Sequence, residues 1–468
     1  MKPSKSNQFN SITKKVNQLF STEEREELSN QIVKDIYTKA EKIANNNIKT
    51  KKRTTSNWEE KLDKILTSKW FGFPIMLLML GGVFWLTLVG ANYPAQMLNK
   101  ALFSIEGSLS NLIMSLGAPK WLHGLLIDGI YRTIAWVISV MFPPMAIFFP
   151  LFTLLEDLGY LPRVAFNLDN FFKKVGAHGK QALTMSMGFG CNAAGVIASR
   201  VIDSPREKLI AILTNNFVPC NGRFPTLIIL SSLFMTGITG GIYSSFVAAG
   251  IVVGIVLFGI IMTFVVSWGL SKTILKGKSS SFTLELPPFR KPQLGQVLVR
   301  SFIDRTLFVL GRAIMVATPA GVIVWILANT TINETSIITH LANWLDPFAA
   351  LLGMDGFILL AFFLGLPANE IVLPVLLMSY LSAGTMIEPG SMESFKNILV
   401  NHGWTWVTAL STMLFSLLHF PCGTTLLTIK KETDSLKWTI FAGVLTLGIA
   451  IVVTFIVNQV IHIFLQVS

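Results

Sequence analysis

Leu168-Asp169-Asn170-Phe171 opens a stretch that closes at Gly188-Phe189-Gly190-Cys191-Asn192, and the chain repeats it in its second half. Leu345-Asp346-Pro347-Phe348 answers the start, and Gly365-Leu366-Pro367-Ala368-Asn369-Glu370 answers the end. Between them Gly176, Gly179 and Leu183 are matched by Gly353, Gly356 and Leu360, so eight of 25 aligned positions are identical without a gap. Further on, Pro219-Cys220 is answered by Pro421-Cys422, after an insertion in the second copy. Glycine, proline and an amide, clustered twice in apolar surroundings, predict helices broken at matched points.

Those surroundings decide the class. Charged residues are 14% of 468, well under the roughly 25% of a soluble domain, and mean hydropathy is +0.58. Apolar runs at 70–91, 241–268, 311–328 and 436–457 reach the roughly 20 residues that cross a hydrocarbon core. No cleavable signal precedes them; residues 1–69 are polar and are expected to be a segment in their own right. The net charge of +12 does not point to nucleic acid. Half of it lies in residues 1–69, with 15 Lys and Arg against 9 Asp and Glu, as a basic cytoplasmic tail with a positive-inside bias produces. Residues 1–20 read as disordered, Ser21-Thr22-Glu23-Glu24 as a capping box opening a charged helix to about residue 44, and 45–56 as a basic linker.

Loop charges orient the rest. Of Lys and Arg, residues 92–125 carry only Lys100 and Lys120 and fall outside; Arg163, Lys173, Lys174 and Lys180 mark an inner loop. Arg200, Arg206 and Lys208 follow too soon for two crossings, so 181–199 reads as a re-entrant hairpin. Residues 329–356 hold no Lys or Arg and stay outside, so 357–383 is a second hairpin opening from the other side. The expectation is an all-α polytopic membrane protein with about seven transmembrane helices and two broken hairpins in an inverted repeat. The crossings are expected at 70–91, 126–155, 209–235, 241–268, 311–328, 404–429 and 436–457. The chain divides into a tail (1–69), a first helix with an outer segment (70–125), a first repeat (126–271), a cytoplasmic linker (272–305) and a second repeat (306–468).

Inverted repeats build alternating-access transporters with sites at their broken helices, so the permeation path is placed at Gly188, Gly190, Asn192, Asn216, Gly365, Asn369 and His419. The alternative for the glycines is close helix packing. Asn215 is a further polar group at membrane depth. Cys191, Cys220 and Cys422 each sit at a break and form no CxxC or zinc spacing. Thiolates suit iron, copper or zinc, and buried free Cys equally serves as a small hydrophobe. Glu370 reads as a cation ligand, a proton carrier or the partner of a neighbouring dipole. Glu156 and Asp157, at a helix end, either steer cations at the cytoplasmic mouth or pair with Arg163. No catalytic residues are expected, and the chain is not an enzyme. A P-loop is absent: in Gly277-Lys278-Ser279, Lys272 stands where the first glycine belongs.

Several motifs together resemble the membrane part of FeoB-type ferrous iron transporters. They are Leu155-Glu156-Asp157-Leu158-Gly159-Tyr160-Leu161-Pro162-Arg163, Ala177-His178-Gly179-Lys180, Gly188-Phe189-Gly190-Cys191-Asn192 and Pro219-Cys220. Phe282-Thr283-Leu284-Glu285-Leu286-Pro287-Pro288-Phe289 is similar to that family's central linker, Phe420-Pro421-Cys422 to its last motif, and Leu62 to Thr67 with Gly72-Phe73-Pro74 to its opening. The resemblance covers about 60–468. It implies Gate-like repeats, Fe²⁺ as the transported ion and Cys191, Cys220 and Cys422 at the positions that handle it, with no permanently bound cofactor. His178 joins Glu156, Asp157 and Arg163 at the mouth.

The family usually carries a GTPase domain before the membrane part. Here only the short tail, 1–69, precedes it, so the resemblance implies a stand-alone subunit in a bacterial cell (inner) membrane, N-terminus cytoplasmic. GTP would act through a separately encoded small GTPase docked on the tail. The family also usually has Lys-Glu where this chain has Asn369-Glu370. Carriage of another solute, such as a nucleoside or a different divalent metal, and a non-transporting anchor for a GTPase remain the alternatives. Oligomeric state is left open, a homo-oligomer included.

Overall fold

The computed structural model of the chain describes residues 22–47, 57–68, 70–234, 243–277, 289, 293–332, 334–385 and 392–467. Residues 1–20, most of the basic linker (48–56) and motif residues 282–288 lie outside the described residues. The chain divides into two units, residues 1–62 with 281–283 and the remainder. In the first, α1 (Thr22–Asn47) is the charged helix expected from the capping box. α2 (Asn57–Leu66) ends in the second unit.

The second unit begins with α3 (Gly72–Ser115), α4 (Lys120–Gly124) and α5 (Arg132–Asp157). The first hairpin region follows as α6 (Tyr160–Lys174), α7 (Gln181–Gly190) and α8 (Asn192–Ala198). Then come α9 (Pro205–Thr214), α10 (Phe224–Phe234), α11 (Tyr243–Lys272) and α12 (Leu294–Arg300). The second copy opens with α13 (Phe308–Asn329) and a small antiparallel ribbon of β1 (Thr331–Ile332) and β2 (Thr335–Ser336). It continues through α14 (Ile337–Leu351), α15 (Gly356–Leu364), α16 (Val372–Tyr380), α17 (Met392–Asn401), α18 (Trp406–Leu418), α19 (Gly423–Thr433) and α20 (Leu436–Val467).

The protein is all-α and polytopic. Among the described residues six stretches are long and apolar enough to cross a membrane, or seven if α14 and α15, bent by 109° at their break, form one span. That count meets the expectation, but its membership differs. The crossing expected at 209–235 consists of two half-helices, α9 and α10, separated by a 3₁₀ turn at Asn215–Phe217 and an extended stretch; α10, at 11 residues, is too short to span alone. The apolar run at 70–91 continues as one helix to Ser115, through much of the segment expected outside.

The repeat is visible in backbone detail. Gly176 and Gly353 end α6 and α14 with φ of 75° and 74°, the left-handed turn that glycine adopts without strain. Behind each, the next residue's N–H reaches back to a matched carbonyl, Phe172 (2.9 Å) or Ala349 (3.1 Å). Cys191 and Ala368, aligned positions of the two copies, are the extended breaks, at φ −155° and −152°. Matched asparagines, Asn192 and Asn369, start the next half-helix. Upstream, π-helical segments Leu125–Tyr131 and Ser301–Leu307 precede α5 and α13.

Each hairpin folds back on itself. Lys180 pairs with Asp203 at 2.9 Å across the open end of the first. The Tyr380 hydroxyl donates to Asp355 across the second. The ends lie at opposite poles of the α18–α19 run. Arg200 meets Glu432, near the C-terminus of α19, at 2.5 Å, whereas Gly353 and Asp355 share a cavity of about 480 Å³ with Trp406 at the start of α18. That run is the interior of the bundle: 83% of its apolar window is buried, against 13–39% for the other five stretches. On α11, Val253, Leu257, Ile261 and Val265 form an exposed apolar stripe at four-residue spacing, a lipid-facing surface.

Candidate functional site

Four chain breaks meet at one point. Gly190, Cys191 and Asn192 between α7 and α8, and Cys220, Asn221 and Gly222 before α10, come from the first copy. Pro367 to Glu370 before α16, and Cys422 with Thr424 at the start of α19, come from the second. Together with Met141, Met145 and Ala313 they enclose a cavity of about 30 Å³, room for one ion or about one or two waters. The sequence spacing shows none of this convergence; the repeat symmetry produces it.

Two neutral contacts position the thiols. The Asn369 amide points at Cys220 Sγ from 3.9 Å, and Cys422 Sγ lies 3.2 Å from the Thr425 hydroxyl. The Glu370 carboxylate packs directly on Gly222, where an added Cβ would fall 2.6 Å from its Cδ. Among the described residues Asn369 Oδ1 is buried without a partner. Among the described residues no three His, Cys, Asp or Glu groups stand close enough to grip an ion together. The cavity therefore offers soft and hard donors around its wall without a closed chelate.

An amide chain braces it. The side-chain amides of Asn192 and Asn216 meet at 3.1 Å, and the other end of the Asn192 amide faces the Gly188 and Val218 carbonyls at 3.1 and 3.2 Å. Asn216 Nδ2 donates to the His419 carbonyl in the second copy at 2.7 Å. Gly188 and Gly195 leave room for the Asn215 side chain, which would lie 2.7 and 2.5 Å from a Cβ there. Gly188 and Gly365 do not line the cavity; each makes space for a neighbour, the packing alternative. The His419 ring also points away, among Phe362, Phe415 and Phe420, and only its carbonyl joins the network.

Sequence reasoning misses Arg223. Its wholly buried guanidinium donates to the Asn216 and Leu417 carbonyls at 2.7 Å each, to the His419 carbonyl at 3.1 Å and to that of Phe420 at 3.3 Å. It thus ties together the two matched Pro-Cys breaks whose thiols face the cavity. The signal is present in the chain: an arginine inside an apolar stretch, just after Cys220, needs partners.

The expected cytoplasmic mouth is dispersed. Arg163 is buried and directs its guanidinium to Asp63 at 2.9 and 3.3 Å and to the Gly159 carbonyl at 2.6 Å, with Phe289 stacked 4.0 Å away. Glu156 lines a separate cavity of about 510 Å³, and Asp157 is exposed at the end of α5. His178 is buried before α7, its Nδ1 accepting from the Lys180 N–H at 3.0 Å. Burial pushes its imidazole below the usual histidine range.

Comparison with known proteins places this geometry. The nucleoside recognition (Gate) profile matches residues 138–235 and 310–436, one segment per copy, and the profile for the ferrous iron transport protein B C terminus matches 252–304. Together the two cover more than half of the chain. The chain is similar to FeoB proteins over most of its length. It is 31% identical over 420 residues to the Fe(2+) transporter FeoB of Staphylococcus aureus (strain MSSA476), covering 87% of this chain and 60% of the relative. The Methanocaldococcus jannaschii Fe(2+) transporter FeoB is 28% identical over 476 residues, 98% of this chain and 66% of the relative. A Porphyromonas gingivalis protein named as a fusion of Fe(2+) transport protein A and Fe(2+) transporter FeoB is 26% identical over 450 residues, 86% of this chain and 51% of its own length. The chain thus spans about half to two-thirds of these relatives. No solved structure matches it. Every cysteine, Asn192, Asn369 and Glu370 fall inside the Gate segments.

Proposed function

We propose that the chain is a permease for ferrous iron and that the ion passes through the cavity between the four breaks. The observation that carries this reading is the convergence of all three cysteines with Glu370 on a space of about 30 Å³. Fe²⁺ is borderline-soft and accepts thiol, carboxylate and amide donors. A nucleoside, the solute suggested by the Gate profile's description, needs a pocket of roughly 300 Å³ or more. Glu370 offsets part of the ion's charge, and the thiols and Asn369 replace part of its hydration shell. A wall of donors with no closed chelate suits conduction, which needs weak, passing binding.

Alternating access is supported by the two hairpins, which open toward opposite poles of the α18–α19 run. The basic ends at Lys180, Arg200, Lys208 and Lys431 are the cytoplasmic pole on this reading, on which the N-terminus is also cytoplasmic. The residues before the first span are the proposed docking place of a separate GTPase, through which GTP acts. The membrane is the bacterial cell membrane.

Uptake of radioactive ferrous iron and of radioactive nucleosides by proteoliposomes carrying the purified chain tests the choice of solute. Iron uptake without nucleoside uptake is expected. Nucleoside flux without iron flux would overturn the reading, and no flux of either with the GTPase present would leave an anchor.

A further inference from the structure

The cavity of about 510 Å³ at the basic pole has a different chemistry from the thiol cavity. It lies between the end of α5, the start of α6, the first hairpin, α13 and the end of α19. Met187, Ala194 and Val309 form part of its wall and belong to the same buried apolar cluster as Cys191. That layer separates the two cavities.

Charge is concentrated on its rim. Glu432 is matched by Arg200 at 2.5 Å and Lys208 at 3.6 Å. Arg312 and Lys431, by contrast, form no ion pair among the described residues. Arg312 donates to the Thr428 hydroxyl at 3.0 Å. Its guanidinium lies 4.2 Å from the centre of the Phe308 ring, and the Lys431 ammonium lies 5.9 Å from the same ring. Two cations therefore converge over one aromatic face, neither within ion-pair distance of a carboxylate among the described residues, while Glu156 and Glu432 also line the cavity.

Arg312 sits within the span Ser301–Asn329, at the start of the apolar run 311–328, and is half-buried. There a charge without a counter-charge is costly, and such residues mark partners or ligands. A divalent cation leaving through this cavity would pass Arg200, Arg312 and Lys431 against Glu156 and the already matched Glu432, so the balance of charge opposes its use as the iron exit. The space, within the usual range for ligand sites, asks instead for an anion with an apolar body. Basic pockets between membrane helices on the cytoplasmic side hold anionic lipid headgroups.

We propose that this cavity binds an anionic phospholipid, its phosphate between Arg312 and Lys431 and an acyl chain along Phe308 and Met187. The test uses the full chain, reconstituted in phosphatidylcholine with a minority of phosphatidylglycerol, re-extracted and examined by native mass spectrometry. The wild type is expected to retain phosphatidylglycerol in preference to phosphatidylcholine. The double variant Arg312→Gln, Lys431→Gln is expected to lose that retention by about tenfold or more. Replacing the exposed Lys174 and Lys276 with Gln is expected to leave it unchanged. Equal retention of the two lipids by the wild type overturns the proposal, and this arm needs no variant to fold. Retention by the double variant at the wild-type level also overturns it. Thermal stabilisation of the delipidated protein by inorganic phosphate, as large as that by phosphatidylglycerol, would assign the cations to a free anion and overturn the lipid.

Discussion

Arg223 and Gly222 are adjacent in the chain and answer different needs. Arg223 supplies the hydrogen bonds that the broken helices leave open, with four carbonyls converging on one guanidinium. Substitution by Met keeps the bulk and strands those acceptors, so we expect a loss of about 1–3 kcal/mol of stability or more, read as a lower midpoint in thermal unfolding of the detergent-solubilised protein. Lys at the same position carries the charge without the planar fork and is expected to recover only part of the loss. Gly222 gives the Glu370 carboxylate its place. A Gly222→Ala Cβ would lie 2.6 Å from Glu370 Cδ, so the carboxylate must move. Iron uptake is expected to fall about tenfold or more, with elution on gel filtration unchanged. Uptake at the wild-type rate would mean that Glu370 is not held by Gly222 for a purpose.

At the scale of elements, the first hairpin is legible in the sequence almost to the residue. Its expected bounds of 181–199 meet helices at Gln181–Gly190 and Asn192–Ala198, because glycine, an extended cysteine and an asparagine leave the backbone little choice. The 209–235 stretch reads as one crossing because loop charge reports which side an end lies on. It says nothing of the break at Asn215–Phe217 between those ends. The π-helical segments at Leu125–Tyr131 and Ser301–Leu307 have no compositional mark.

The open end of the first hairpin also carries a pH dependence. His178 accepts the Lys180 N–H through Nδ1, which requires the neutral ring, and burial keeps its folded value below the ordinary one. The unfolded chain therefore binds the proton more readily. The stability tied to neutral His178 is present above pH about 6.5 and is lost as pH falls through the folded value. Thermal midpoints measured on acidification from neutral pH should fall faster for the wild type than for His178→Asn, whose side-chain oxygen also accepts a hydrogen bond and does not titrate. Parallel curves would remove His178 as the cause.

For the whole molecule, apolar runs and loop charges are enough to predict a polytopic bundle with two hairpins, since the bilayer imposes length and polarity on any chain that crosses it. Sequence spacing cannot bring Cys191, Cys220, Cys422 and Glu370 to one cavity. That depends on how two copies pack around the buried α18–α19 run. The same packing explains why His419, polar and beside the Pro421 break, turns its ring into phenylalanines while only its carbonyl serves the network. It also takes Arg163 away from the expected mouth to Asp63. The central claim is that the converged thiols carry the ion. The most direct measurement is ferrous iron uptake into proteoliposomes by Cys191→Ser, Cys220→Ser, Cys422→Ser together, at matched protein content and matched thermal midpoint. The account expects the initial rate to drop about tenfold or more relative to the wild type; an unchanged rate would contradict it.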